Sequence, residues 1–160
     1  MEMLLISSGR EAKIYRTGKG NVLWVSNGPD AHPECVTGWL LCRDSLSPPH
    51  FPGIFNVTFK NGCLHVEMEY VEGGSPTEWN QDQADAILDE LETAGVFHRD
   101  IRLPNLIVRE TGEWCLIDFG WACSYTDPYP GARRLGGKGR AKSGPDDKHA
   151  MDVIKGVLGG

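Results

Sequence analysis

Between Val96 and Ala122 the chain reads VFHRDIRLPNLIVRETGEWCLIDFGWA, short apolar runs with charged or amide residues set directly against their ends. Leu106-Ile107-Val108 and Trp114-Cys115-Leu116-Ile117 read as two strands of a hairpin that turns at Thr111-Gly112. Asn105 opens the first of these strands and Asp118 closes the second. His98-Arg99-Asp100 lies in the loop ahead of them, after a helix, so helix, loop, hairpin and loop present these polar residues in succession.

The rest of the chain is punctuated clearly enough to place this stretch. MLLIS, AKIYR and NVLWV, separated by Ser8-Gly9 and Gly18-Lys19-Gly20, read as three antiparallel strands. Glu34 to Cys42 has apolar residues at Cys35, Val36, Trp39 and Leu40, the spacing of one helical face, with Gly38 as a weak point. GIFNVTF and CLHVEMEYV flank Asn61-Gly62, which predicts a tight hairpin. Ser75-Pro76-Thr77-Glu78 has the form of a capping box, and Asn80 with Gln83 offers a second cap. In the helix that follows, Ala84, Ile87, Leu88 and Leu91 share one face, and Gly95 stands where a left-handed cap belongs. Tyr125 to Asp147, rich in Gly, Pro and basic residues, predicts an exposed loop before a final helix from Asp147 to Leu158.

At 160 residues and a net charge of −6, the chain has the size of one domain and no general basic surface for nucleic acid or membrane. No apolar run approaches the roughly 18 residues of a membrane span, and five cysteines without a C-x-x-C pair argue against a disulfide framework or a zinc site. An intracellular, soluble, cytoplasmic protein is the expectation.

His98-Arg99-Asp100, Asn105 and Asp118-Phe119-Gly120 together meet the pattern H-R-D-x-x-x-x-N followed by D-F-G. The chain thereby resembles the catalytic core of eukaryotic-type protein kinases, in a minimal and atypical form. The resemblance implies an α+β, two-lobed fold filling residues 1–160: an N-lobe to about residue 72 with an antiparallel sheet and one helix, a hinge at about 69–74, and a reduced C-lobe of mostly helical character from about 75. It implies ATP and Mg²⁺, or Mn²⁺, as cofactors. Asp100 would orient the attacking hydroxyl and accept its proton, Arg102 would neutralise the transferred phosphoryl group, and Asn105 and Asp118 would hold the metal.

Met68-Glu69-Tyr70-Val71-x-Gly73-Gly74 looks like the kinase hinge. Met68 would line the rear of an adenine slot, the Glu69 carbonyl and Val71 amide would meet the adenine edge, Ile107 and Ile117 would lie below the base, and Ile14 and Leu23 above it. Two departures stand out. Ser7 to Tyr15 carries one glycine where the family has three, a form similar to the G-x-E-A loop of RIO-type kinases. The phosphate-binding lysine of the third strand is missing, its place taken by Val25 or Trp24; Lys13 is the first candidate to replace it, Lys19 and Arg10 the next, and Glu34 the candidate helix partner. No A-P-E motif follows, and Asp147 resembles the aspartate that accepts backbone N–H groups of the catalytic loop.

Two functional expectations follow. One is a Mg-ATP-dependent protein kinase acting on a Ser, Thr or Tyr hydroxyl of an unknown protein. The other is a pseudokinase that binds nucleotide or a regulatory partner, motivated by the missing lysine. A small-molecule kinase is disfavoured, since those relatives more usually carry H-G-D.

Overall fold

The computed structural model describes residues 3–8, 12–26, 34–126 and 147–160. Residues 9–11 of the expected phosphate loop (Ser7 to Tyr15), Arg10 among them, lie outside the described residues, as do residues 127–146 of the predicted loop from Tyr125 to Asp147 and the side chain of Glu34.

The three predicted N-terminal strands form as β1 (Met3–Ser8), β2 (Ala12–Thr17) and β3 (Val22–Ser26). The helix α1 (Glu34–Ser45) follows, then β4 (Ile54–Lys60) and β5 (Cys63–Met68). These five strands make one antiparallel sheet in the order β1-β2-β3-β5-β4. Asn61 and Gly62 both take positive φ (54° and 77°), the conformation that a two-residue turn between right-twisted strands requires.

Helix α2 (Gln81–Ala94) begins at the second of the two caps the sequence offers: the Asn80 side chain accepts from the Gln83 N–H, and Gly95 closes the helix at φ 70°. Ser75, expected as a cap, instead donates its hydroxyl to the Leu103 carbonyl at 2.7 Å, so it ties the segment before α2 to the loop after it. Short strands β6 (Val96–Phe97), β7 (Leu106–Val108), β8 (Trp114–Leu116) and β9 (Cys123–Ser124) pair as β6 with β9 and β7 with β8. Helix α3 (Asp147–Val157) ends the chain's regular structure. The α+β composition is as expected, and no helix among the described residues is long and apolar enough to cross a membrane.

One buried apolar cluster joins Leu64 and Val66 of the sheet, Trp39 and Cys42 of α1, Ile87 and Leu91 of α2, and Met151 and Ile154 of α3. Its centre is aromatic. Phe119 packs edge-on against Phe51 (5.9 Å between centroids) and His98 (4.7 Å), and meets Trp39 at 6.4 Å. Gly38 is explained by this contact. A Cβ there would stand 1.9 Å from the Phe119 carbonyl oxygen, so the glycine that weakens α1 as a helix is what lets α1 lie against the loop after β8. Gly38→Ala is expected to destabilise the fold by about 1–3 kcal/mol, the range typical of overpacking, measured as a lowered urea midpoint at unchanged slope. A midpoint equal to the parent's would show that α1 does not need this approach.

Candidate functional site

The sheet and the β6–β8 region enclose a cleft of about 490 Å³. Ile14, Val22, Trp24 and Met68 line it from the sheet, Trp39 from α1, Glu69, Tyr70, Val71 and Gly73 from the segment after β5, and Arg102, Asn105, Ile107, Ile117 and Asp118 from the opposite wall. The structure thus brings to one cavity nine of the residues the sequence singled out: Ile14, Met68, Glu69, Val71, Arg102, Asn105, Ile107, Ile117 and Asp118.

Three others are placed elsewhere. Leu23 alternates with Val22 and Trp24, so in a regular strand it takes the opposite face of the sheet and is not among the lining residues. Lys13 pairs in register with Val25, out of phase with the pair Ile14 and Trp24, and its side chain is exposed. The β2–β3 register runs unbroken from Ala12 to Arg16, so the bulge that would turn Lys13 inward is absent there. Of the two candidate positions for the missing lysine, Trp24 faces the cleft and Val25 does not. Asp100 is the third: it stands directly behind the wall, against Arg102 and Asn105.

The loop that carries Asp100 is held by two buried groups. The Asp147 carboxylate accepts the His98 N–H at 2.7 Å and the Arg99 N–H at 2.9 Å, the role expected of it. These bonds secure Arg99 at φ 71°, a left-handed conformation costing about 1–3 kcal/mol in a side-chain-bearing residue. Asp118 is also left-handed, at φ 65°, and its Oδ1 accepts the Gly120 N–H at 3.3 Å. His98 does more than pack. Its Nδ1 accepts the Asp100 N–H at 3.1 Å, which makes Nε2 the protonated nitrogen, donating to the Ile117 carbonyl at 2.9 Å. One imidazole therefore joins the backbone at Asp100 to the residue before Asp118.

The carboxylate of Asp100, on a side chain 2% exposed, is compensated by Arg102 Nε at 3.2 Å and by Asn105 Nδ2 at 3.1 Å; the same Nδ2 also donates to the Asp100 carbonyl at 2.8 Å. With Nδ2 turned to Asp100, Oδ1 is the end of Asn105 available to a cation. Among the described residues no cluster of three or more His, Cys, Asp or Glu side chains is placed to bind a metal. The Asn105 amide and the Asp118 carboxylate instead supply two oxygen donors on one cavity wall, a set that suits a hard cation completing its shell with water and ligand oxygens.

At the other end of the cleft, the Glu69 N–H donates to the Gly53 carbonyl, whereas the Glu69 carbonyl and the Val71 N–H make no hydrogen bond with the described residues. Arg109 grips the Glu69 carboxylate at 2.8 and 3.0 Å and also donates to the Pro49 and Phe51 carbonyls. Its hydrogen bonds hold the Glu69 carboxyl below the usual range. Gly73, at φ 144°, lies so close to β7 that a Cβ would meet the Val108 carbonyl oxygen at 2.1 Å. Sequence reasoning missed Arg109, whose partner is forty positions away. It also missed Trp24 and Trp39 as cavity walls, although the phase of Ile14 against Trp24 would have marked the first once the strand register was known.

No protein-family model matches the chain. Over part of its length it is similar to curated serine/threonine-protein kinases. It is 35% identical over 89 residues to pakA of Talaromyces marneffei (44% of this chain, 14% of that protein). It is 28% identical over 107 residues to STE20 of Saccharomyces cerevisiae (59% and 11%), and 33% identical over 87 residues to CBL-interacting protein kinase 12 of Oryza sativa subsp. japonica (46% and 16%). The chain spans less than a fifth of the length of each of these relatives. These partial similarities support a kinase-related function.

Burial lowers the His98 pKa to about 4. The unfolded imidazole takes up its proton near pH 6.5 and the folded one does not until about 4, so the stability His98 provides is complete above 6.5 and lost as pH falls through that window. The stability difference between the parent and His98→Gln, measured by denaturant unfolding, should shrink by about 2 kcal/mol between pH 7 and pH 5. A difference independent of pH would mean that His98 is not held neutral.

Proposed function

We propose that the chain is a compact, atypical protein kinase that transfers the γ-phosphoryl group of ATP to a Ser, Thr or Tyr hydroxyl of a protein, with the sheet and α1 as its N-terminal lobe and the remainder as a reduced C-terminal lobe. The observation that carries this reading is the convergence of Arg102, Asn105 and Asp118, backed by Asp100, on one wall of a cleft whose far end presents the Glu69 carbonyl and the Val71 N–H, neither of them hydrogen-bonded among the described residues.

Adenine would lie between Ile14 and Ile107, its amino group donating to the Glu69 carbonyl and a ring nitrogen accepting from the Val71 N–H. Asn105 Oδ1 and the Asp118 carboxylate would hold Mg²⁺, which supplies charge neutralisation for the phosphates. In this reading the half-exposed Arg102 side chain would exchange Asp100 for a phosphoryl oxygen. As Arg102 turns to the phosphates, Asp100 Oδ1 is released to hydrogen-bond the incoming hydroxyl and accept its proton, while Asn105 Nδ2 keeps the carboxylate oriented.

A second reading, a pseudokinase that binds nucleotide or a partner without transfer, is favoured by one observation: Trp24, not a cation, faces the cleft from β3. Transfer of γ-label from ATP to a generic protein substrate or to the chain itself separates the two. The parent is expected to transfer label and Asp100→Asn to lose it by about 10²–10⁴-fold, with nucleotide affinity unchanged. Full transfer by Asp100→Asn removes the base assignment, and no transfer by a parent that binds nucleotide selects the second reading.

A further inference from the structure

Three successive residues, Ile107, Val108 and Arg109, join the floor of the cleft to both ends of the segment 69–74. Ile107 lines the cavity, the Val108 N–H donates to the Gly74 carbonyl at 2.8 Å, and the Arg109 guanidinium takes both oxygens of the Glu69 carboxylate. Glu69 is pinned twice more: its N–H donates to the Gly53 carbonyl at 2.8 Å, and its Oε1 accepts the Gly53 N–H at 3.0 Å. Its carbonyl is left, facing the same end of the cleft as the Val71 N–H, and makes no hydrogen bond with the described residues. The grip is largely out of water, the Arg109 side chain being 16% exposed and that of Glu69 26%. Arg109 Nε also donates to the Pro49 carbonyl at 2.6 Å and Nη2 to the Phe51 carbonyl at 3.4 Å. Only a planar fork of donors can serve a carboxylate and two carbonyls at once.

From this we infer that Arg109 is a positioning residue for base selection: by holding Glu69 against the strand that carries Ile107, it aims the Glu69 carbonyl and the Val71 N–H at a base edge. The inference rests on the nucleotide reading above and goes beyond it by assigning the choice among bases to a residue that is not itself a cleft-lining one. A carbonyl set against a base carbonyl leaves two acceptors facing each other, and a buried polar group without a partner costs about 1–3 kcal/mol. That cost rejects the wrong base only while the backbone is fixed. A segment free to turn a peptide or to admit a bridging water escapes it, and the selection is lost. Val108 fixes the far end of the segment through the backbone, so the near end, at Glu69, depends on the Arg109 side chain and Gly53.

The test is a calorimetric titration of the purified chain with Mg-ATP and with Mg-inosine triphosphate. The two carry the same phosphates, but hypoxanthine presents a carbonyl and an N–H where adenine presents an amino group and a bare ring nitrogen. The parent is expected to bind ATP at least about tenfold more tightly, equivalent to about 1.4 kcal/mol. Arg109→Gln, which removes the bidentate grip, should bring the two dissociation constants within about threefold, chiefly by weakening ATP. Glu69→Gln, which keeps the side-chain length and one oxygen acceptor, should narrow the preference in the same direction. A general loss of stability would weaken both nucleotides alike and leave their ratio unchanged, so the ratio separates positioning from folding. Urea unfolding identifies which variants are folded, and whichever of the two folds decides. A preference that survives intact in a folded variant, or a parent that binds both nucleotides equally, overturns this inference and leaves the nucleotide reading standing. A folded parent that binds neither nucleotide overturns both.

Discussion

The packing of Phe119 is the contact on which the rest of the molecule depends. Its ring touches Phe51 before β4, Trp39 on α1 and His98 after β6, so three segments far apart in sequence are fixed against one side chain. Through Trp39 the contact continues to Trp24 in the middle of the sheet. Aromatic pairs of this kind contribute about 0.5–1.5 kcal/mol each beyond the area they bury. More important is what they position: Phe119 follows Asp118 directly, so the packing that holds the sheet to the remainder also places the carboxylate at the cleft.

Charged and polar residues are then arranged by a few buried hydrogen bonds. Asp147 opens α3 and spends both carboxylate oxygens on the backbone of His98 and Arg99. His98 links Asp100 to Ile117, and Asn105 links the Asp100 carbonyl to its own carboxylate. Left-handed backbone occurs at two non-glycine positions here, Arg99 beside Asp100 and Asp118 at the cleft wall. On the opposite side of the cleft, Arg109 performs a similar task, joining Glu69 to the turn at Pro49 and Phe51.

Local features of the sequence were readable where local physics decides them. Asn61-Gly62 specified a turn with two positive φ values, Gly95 specified a helix end, and the apolar spacing from Ala84 to Leu91 specified the buried face of α2. The choice between Ser75 and Asn80 as cap was not readable, because it turns on Ser75 meeting Leu103, a contact made only in the folded chain. Leu23 was misplaced for a related reason. Strand alternation separates Leu23 from Val22 and Trp24, but only pairing with β2 and β5 says which set faces the cleft. The polar residues of the site were readable from motif spacing, whereas the layering that puts Asp100 behind Arg102 and Asn105 was not.

In the proposed function a single cleft joins a nucleotide-binding end to the oxygen donors of Asn105 and Asp118. Thermal unfolding of the parent and of Asp118→Ala, each with ATP in chelator and with ATP and Mg²⁺, is the decisive measurement. ATP is expected to stabilise both proteins, Mg²⁺ to add a further shift only in the parent, and the full stabilisation at about 100 times the dissociation constant to approach about 2.7 kcal/mol. Equal Mg²⁺-dependent shifts in the two proteins, or no shift with nucleotide in either, would contradict it.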